Sequence, residues 1–441
     1  MCDKLALSLQ SIFSFFFILF PMKITEYITC HKAWEEFLTY KIENRHLSKT
    51  ELKSIENFIR EKKYMAVYED ILSGEFPKEY PVKRVVNKEG SNKKRVVYSF
   101  SDDVNIVLKF IAFRLYDYDD LFCPNCYAFR RGYGVRNAIS KLSHDSRYQK
   151  RYCLKVDISN YFNSIDAELL LDKLAVIKER DRELYRFFEN LLTADRSYYN
   201  GTLIVEKRGA MAGVPVSPFL ANIYLSDVDR FFYENSSYGD YFRYSDDILI
   251  FGDNYDELQQ KKELLYRRLQ DKRLALNPDK VSFAAPGESW DFLGFGYVNG
   301  QFDLSANTKR KIKAKIKRKA EALRRWQRKK GLTSDKAAIG FIRAMNSKFY
   351  GCDDEDEFTW DRWFFPNLSV DCGLKEIDVY MQQYIRYVVT GRHYKGNYRI
   401  SYSQLKQWGY RSLVHEYYNF RKKQSPDRHF EELGFVKPSQ I

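Results

Sequence analysis

The sequence predicts an α+β fold, and three observations predict it. Short apolar strands that carry aspartate recur, at residues 152–157 and on both sides of Ser245-Asp246 within 241–251. Stretches with apolar residues at helical spacing lie before and between them, at 33–73 and 167–192, and another follows Pro218 over 219–233. A long cationic helix comes after them all, at 309–330. Mixed strands and helices in this order fit helices packed on a sheet.

The chain has 441 residues, 44% of them hydrophobic, 30% charged and only 11 Pro, which excludes a disordered or membrane-spanning class. Residues 5–20 form an apolar run shorter than the ~20 residues a spanning helix needs. No basic segment or small-residue cleavage site marks a signal peptide there. Met22-Lys23-Ile24-Thr25 reads as an ordinary cytoplasmic start, so residues 1–21 are expected to be a start-site extension. Seven scattered cysteines do not make a disulfide framework. Cys123-Pro124-Asn125-Cys126 lacks a second ligand pair for zinc, so two ordinary thiols are expected.

Residues 22–150 open with helices, in which Trp34, Phe37, Leu38 and Ile42 recur at three and four. A hairpin over 81–100 follows, with Val82, Val85 and Val86 on one arm, Val96-Val97-Tyr98 on the other and residues 87–92 as the turn. Its cations, among them Lys88 and Arg95, suit either a solvated edge or a flap that grips phosphates. Residues 151–300 hold the aspartate-bearing strands. Residues 301–350 hold the cationic helix, with thirteen Lys or Arg between 309 and 330 against Glu321 alone. The whole chain is only +14, so nearly all its excess charge sits in this one element. Ile312, Ile316, Ala320 and Leu323 give it an apolar stripe; Lys311, Lys315, Arg318 and Arg325 are its candidate nucleic-acid contacts. Residues 351–441 mix aromatics with Arg and Lys, the blend that stacks on and neutralises RNA, although an aromatic core explains part of it. The acidic residues 353–357 read as a solvated loop.

Phosphoryl chemistry needs divalent cations held by rigid carboxylates, and Mg²⁺ prefers oxygen. Asp157 on one strand with Asp246-Asp247 in an apolar hairpin meets that need. Asp-Asp in a turn is weak evidence alone; with a second strand aspartate upstream it is strong.

These residues resemble the reverse transcriptases. Asp157-Ile158-Ser159-Asn160-Tyr161-Phe162 is similar to the palm motif with the first metal-binding aspartate. Gly213-Val214-Pro215-Val216-Ser217-Pro218 is similar to the template- and nucleotide-binding motif, and Tyr244-Ser245-Asp246-Asp247 to the Tyr-x-Asp-Asp turn. Leu276-Asn277-Pro278-Asp279-Lys280 and Trp290-Asp291-Phe292-Leu293-Gly294-Phe295 resemble the next two, the second being the primer grip. Lys94-Arg95 and Tyr127-Ala128-Phe129-Arg130-Arg131-Gly132 resemble fingers motifs. The likeness spans roughly residues 80–300, and the motifs come in the family's order.

The resemblance implies a right-hand polymerase with fingers, palm and thumb and an α-helical C-terminal extension that binds RNA. It implies an RNA-directed DNA polymerase using two Mg²⁺ ions and deoxynucleoside triphosphates. Asp157 and Asp246 would hold the ions, helped by the Ile158 carbonyl, with Asp247 adding charge. Phe162 would be the aromatic gate against a ribose 2′-hydroxyl, or a core residue. Arg95, Lys88, Gly213, Pro215 and Lys280 would meet the nucleotide, Phe292, Leu293 and Gly294 the primer, Arg130 and Arg131 the nucleic acid.

Departures from the family matter. Ala212 stands where many members have Gln. Asn137-Ala138 leads to Lys141 where retron enzymes have His, and Val389-Thr390-Gly391 lies far downstream of their Val-Thr-Gly site; both argue against a retron. The C-terminal blend looks like that of bacterial defence-associated reverse transcriptases, which act in the cytoplasm with a neighbouring non-coding RNA as template and a DNA product. Two alternatives remain open: a template-independent or protein-primed nucleotidyltransferase, and a non-catalytic maturase-like scaffold. Primer type and oligomeric state are left open.

Overall fold

The structure, a computed structural model, describes residues 22–44, 47, 49–87, 94–235, 240–351 and 359–423. The extension at 1–21, Lys88 and the acidic stretch 353–357 lie outside the described residues.

Eleven strands are described, in three sheets. The hairpin appears as β1 (Val82–Asn87) and β2 (Lys94–Ser99), antiparallel with Val82 opposite Ser99. It is joined by an unforeseen second hairpin, β4 (Arg196–Tyr199) and β5 (Thr202–Val205), whose β4 runs parallel to β1. Asn200-Gly201, both at positive φ, forms its two-residue turn and was the available sequence signal.

The central sheet has the order β6-β7-β3-β8 with every pair antiparallel: β3 (Tyr152–Asp157), β6 (Tyr241–Tyr244), β7 (Asp247–Gly252) and β8 (Ser282–Ala284). Strand side chains alternate between faces, and here both faces are covered. Leu154, Val156, Ile248 and Ile250 join one core with the N-terminal helices and the helices of 161–235. Cys153, Leu249 and Phe251 join a second. Continuous apolar strands follow from that double burial.

The helical stretch at 33–73 divides into His31–Asn44, Lys49–Arg60 and Tyr64–Ser73, with Lys62 at φ +51 before the last. A small sheet of β9 (Trp290–Phe292), β10 (Phe295–Val298) and β11 (Gln301–Leu304) leads into the cationic helix, Ala306–Lys330. Its stripe of Ile312, Ile316 and Ala320 is buried in the second core. That core also holds Phe341, Ile377, Ile385 and Leu413, so residues 301–350 and the segment 359–423 share an apolar interior. Asp303 accepts from the Gly373 N–H at 2.9 Å, tying β11 to the helix Cys372–Thr390. No helix among the described residues is long and apolar enough to cross a membrane.

Candidate active site

β3 delivers Asp157 to the end of the central sheet, where it stands directly opposite Asp247, the first residue of β7. Tyr244 and Asp247 pair across the hairpin, leaving Ser245-Asp246 as a two-residue turn, and Ser245 takes φ +61. A small side chain suits that left-handed position better than a bulky one. The backbone stitches the three aspartates together. The Ile158 N–H donates to the Asp246 carbonyl at 3.1 Å, and the Asn277 N–H to the Asp157 carbonyl at 2.8 Å.

Asp157 is 4% exposed, and the Lys280 ammonium donates to its Oδ2. Burial raises the carboxyl of Asp246 above the usual range, and the neighbouring Asp157 charge adds to it. Burial pushes Asp247 up to about 6; Asp246 and Asp157 repel it further, against the pull of Lys155 and Lys280. Three crowded, desolvated carboxylates with an ammonium on one of them form a site that draws cations. Their donor set is all oxygen, which suits magnesium. Among the described residues no group of three or more His, Cys, Asp or Glu side chains is placed to hold a metal ion. Magnesium does not need one: it is usually held by one or two carboxylates, with water and substrate phosphate completing the shell. The residues fit the ion.

The turn is braced from behind. Arg243 is fully buried and makes a forked pair with Asp229, Nε to Oδ1 at 2.7 Å and Nη2 to Oδ2 at 2.5 Å. Its Nη1 donates to the Ser245 carbonyl and to Asn222 Oδ1, each at 3.2 Å. Its Nη2 reaches the Cys126 sulfur, whose thiol burial pushes up to about 12. Sequence reasoning missed this brace, because nothing local in residues 222–243 marks the partners.

In front of the aspartates lies a cleft of about 910 Å³. Asp246, Asp247, Arg95, Phe162, Gly213, Pro215, Leu293, Gly294 and Lys311 all line it, so most of the expected site residues converge. Gly213 sits at φ +102, and a Cβ there would come within 2.8 Å of the Tyr98 carbonyl oxygen. Only glycine lets the 209–218 loop approach β2 so closely, with the Tyr98 N–H on the Ala212 carbonyl at 2.8 Å. Phe162 is half-buried and meets Phe129 edge-on at 6.3 Å; Phe129 also lines the cleft, at φ +56.

Other residues are placed differently from expectation. Arg130 is 7% exposed, with its guanidinium committed to Asp119 and to the Cys123 and Cys126 carbonyls, so it braces the loop and does not face nucleic acid. Phe292 is wholly buried as the last residue of β9 and supports the loop that Leu293 and Gly294 expose to the cleft. Ile158 is buried, and its backbone pairs with Leu276. Arg131 is exposed, lying over Phe113 and Tyr116, two residues of the cleft wall. Lys311, Lys315, Arg318 and Arg325 fall within an arc of about 80° on their helix, away from the buried stripe. Unforeseen residues also line the cleft, among them Tyr40 and Lys41 from the N-terminal helix and Trp363 from the C-terminal segment.

Comparison with known proteins agrees with this geometry. Residues 86–297 match the family model described as reverse transcriptase (RNA-dependent DNA polymerase). That stretch of the chain is similar to a reverse transcriptase domain. The matched stretch contains β2, the central sheet and all three aspartates. Over 174 residues the chain is 30% identical to the retron Ec83 reverse transcriptase of Escherichia coli, covering 36% of this chain and 52% of that protein. The chain thus spans about half the length of this curated relative. The relative is a retron enzyme, a subclass from whose pattern this chain departs at Lys141 and at Val389-Thr390-Gly391. Among solved structures, apo telomerase from Candida tropicalis, truncated from the C-terminal domain, aligns at 15% identity and TM-score 0.39, covering 51% of this chain and 54% of that one. Telomerase from Candida albicans, in complex with a fragment of telomeric RNA, aligns at 14% and 0.41, covering 75% and 62%. Likeness that loose carries no argument about function.

Proposed function

We propose that this chain is an RNA-directed DNA polymerase that extends a DNA 3′ end by copying a partner non-coding RNA, in the cytoplasm of a bacterium and in the service of anti-phage defence. The observation that carries the chemistry is the convergence of Asp157, Asp246 and Asp247 at one end of the central sheet, with Asp246 and Asp247 open to a cleft lined by Arg95 and Phe162 and Asp157 buried behind them. The retron relative supports the RNA-templated reading, and the cationic helix supports a nucleic-acid partner.

Asp157 and Asp246 would hold two magnesium ions, with the Ile158 carbonyl helping and Asp247 adding negative charge. Bound magnesium supplies charge neutralisation and alignment of the incoming phosphate with the primer hydroxyl. The chain's own groups do the rest. Arg95 on β2 holds the triphosphate by charge-assisted hydrogen bonds. Phe162 leaves no room for a 2′-hydroxyl. Leu293 and Gly294 seat the primer end. Lys280, resting on Asp157, is close enough to the carboxylates to give a proton to departing pyrophosphate.

Sequencing the RNA and DNA that copurify with the protein tests the partner. Enrichment of one structured RNA together with DNA complementary to it is the expected result. DNA of random sequence would instead support template-independent synthesis.

A further inference from the structure

The segment after the cationic helix packs against the polymerase cleft. Its helix Trp360–Phe364 sets Phe364 against the loop that carries Leu293 and Gly294. The Phe364 ring lies 5.1 Å from that of Phe295 and 4.5 Å from that of Trp360. Gly294 takes φ +92, and a Cβ on it would come within 3.4 Å of the Phe364 ring and 3.1 Å of Thr308 Oγ1. The Gly294 carbonyl accepts from the Ser305 N–H at 3.0 Å and from the Thr308 hydroxyl at 2.8 Å. The loop is therefore clamped between the start of the cationic helix and the C-terminal segment. The neighbouring Trp363 is half-buried against the second core and lines the cleft along with Leu293, Gly294 and Lys311.

We propose that Trp363 is a primer-binding residue: its indole packs on the last nucleotides of the primer strand, so that the C-terminal segment supplies one wall of the polymerase site. The inference rests on the polymerase reading. An aromatic face beside a cation and a rigid backbone loop is how a nucleic-acid strand is held without reading its sequence. Trp363 shares its side of the cleft with the loop at Leu293-Gly294 and the root of the cationic helix, which favours the primer over the incoming nucleotide.

The test uses the full chain with a DNA primer annealed to an RNA template. Trp363→Ala is expected to weaken primer–template binding about tenfold, a larger change than any in the deoxynucleotide KM. Trp363→Phe, which keeps an aromatic face, is expected to bind within about threefold. Should Trp363→Ala fail to fold, as judged by circular dichroism, fluorescence decides. Quenching of tryptophan emission on adding primer–template is expected in the wild type and diminished in Trp363→Phe. Unchanged primer affinity in Trp363→Ala, a raised deoxynucleotide KM with normal primer affinity, or identical quenching in wild type and Trp363→Phe would overturn the proposal. A wild-type protein that binds primer–template yet extends nothing would refute the polymerase reading, while the quenching comparison would still decide Trp363.

Discussion

Arg243 and Asp229 form a forked ion pair in which neither side chain is more than 1% exposed, and the same guanidinium reaches the carbonyl of Ser245 in the turn that carries Asp246. A buried pair of this kind costs desolvation, and its use here is to hold the turn in one geometry.

Removing one partner strands the other charge. Asp229→Ala is expected to lower unfolding free energy by about 3–5 kcal/mol, read by urea denaturation. Arg243→Lys keeps a charge but loses the fork. It is expected to cost less stability and to reduce primer extension more than about tenfold, in kcat.

The crowded aspartates lower stability for the sake of binding cations. Asp246→Asn with Asp247→Asn is expected to abolish synthesis while nucleic-acid binding persists. In metal-free buffer at neutral pH the same variant is expected to melt at a higher temperature than wild type, because two desolvated like charges are gone. A lower melting temperature in EDTA would contradict the electrostatic picture.

Phe162, half-buried and held edge-on by Phe129, is placed to close the space beside the sugar. Phe162→Ala is expected to raise ribonucleotide incorporation relative to deoxynucleotide by about tenfold or more in kcat/KM. No change in that ratio would return Phe162 to a core role.

Lys311, Lys315, Arg318 and Arg325 share one face over about 21 Å of helix. Replacing all four by Ala is expected to reduce the slope of log affinity against log salt by about 3. Equal slopes would mean that the face does not meet phosphates.

Glu376 accepts from Lys309 at 2.8 Å and Lys313 at 2.6 Å, and these bonds hold its carboxyl below the usual value of 4.5. A group lowered in the folded state contributes stability above its unfolded value and loses it as pH falls through the folded one. The pair is 42% exposed at Glu376, so its worth is below about 1 kcal/mol. Glu376→Gln is expected to melt slightly below wild type at pH 7, with the gap closing below about pH 4.

Much of the site was legible because it is local. An apolar strand ending in Asp157 and a hairpin with Ser245-Asp246 at its turn are written in contiguous residues, and Gly213 marks a backbone approach that any side chain would block. The cationic helix was legible from its period. The rest depends on partners far apart in sequence. Arg130 sits in a motif yet spends its donors on Asp119 and two carbonyls. Arg243 finds Asp229 only once β6 meets the helix Ser226–Asn235. Trp363 lies on the helix Trp360–Phe364, which packs on the helix Ser334–Tyr350 with Trp360 against Phe349, a contact between elements that no spacing announces.

The most direct test is extension of a DNA primer on a defined RNA template, with magnesium and deoxynucleotides, by wild type beside Asp246→Asn. The account predicts templated extension by the wild type, its loss on adding EDTA, and none from the variant above background. Equal extension by both proteins, or wild-type product unrelated to the template, would contradict it.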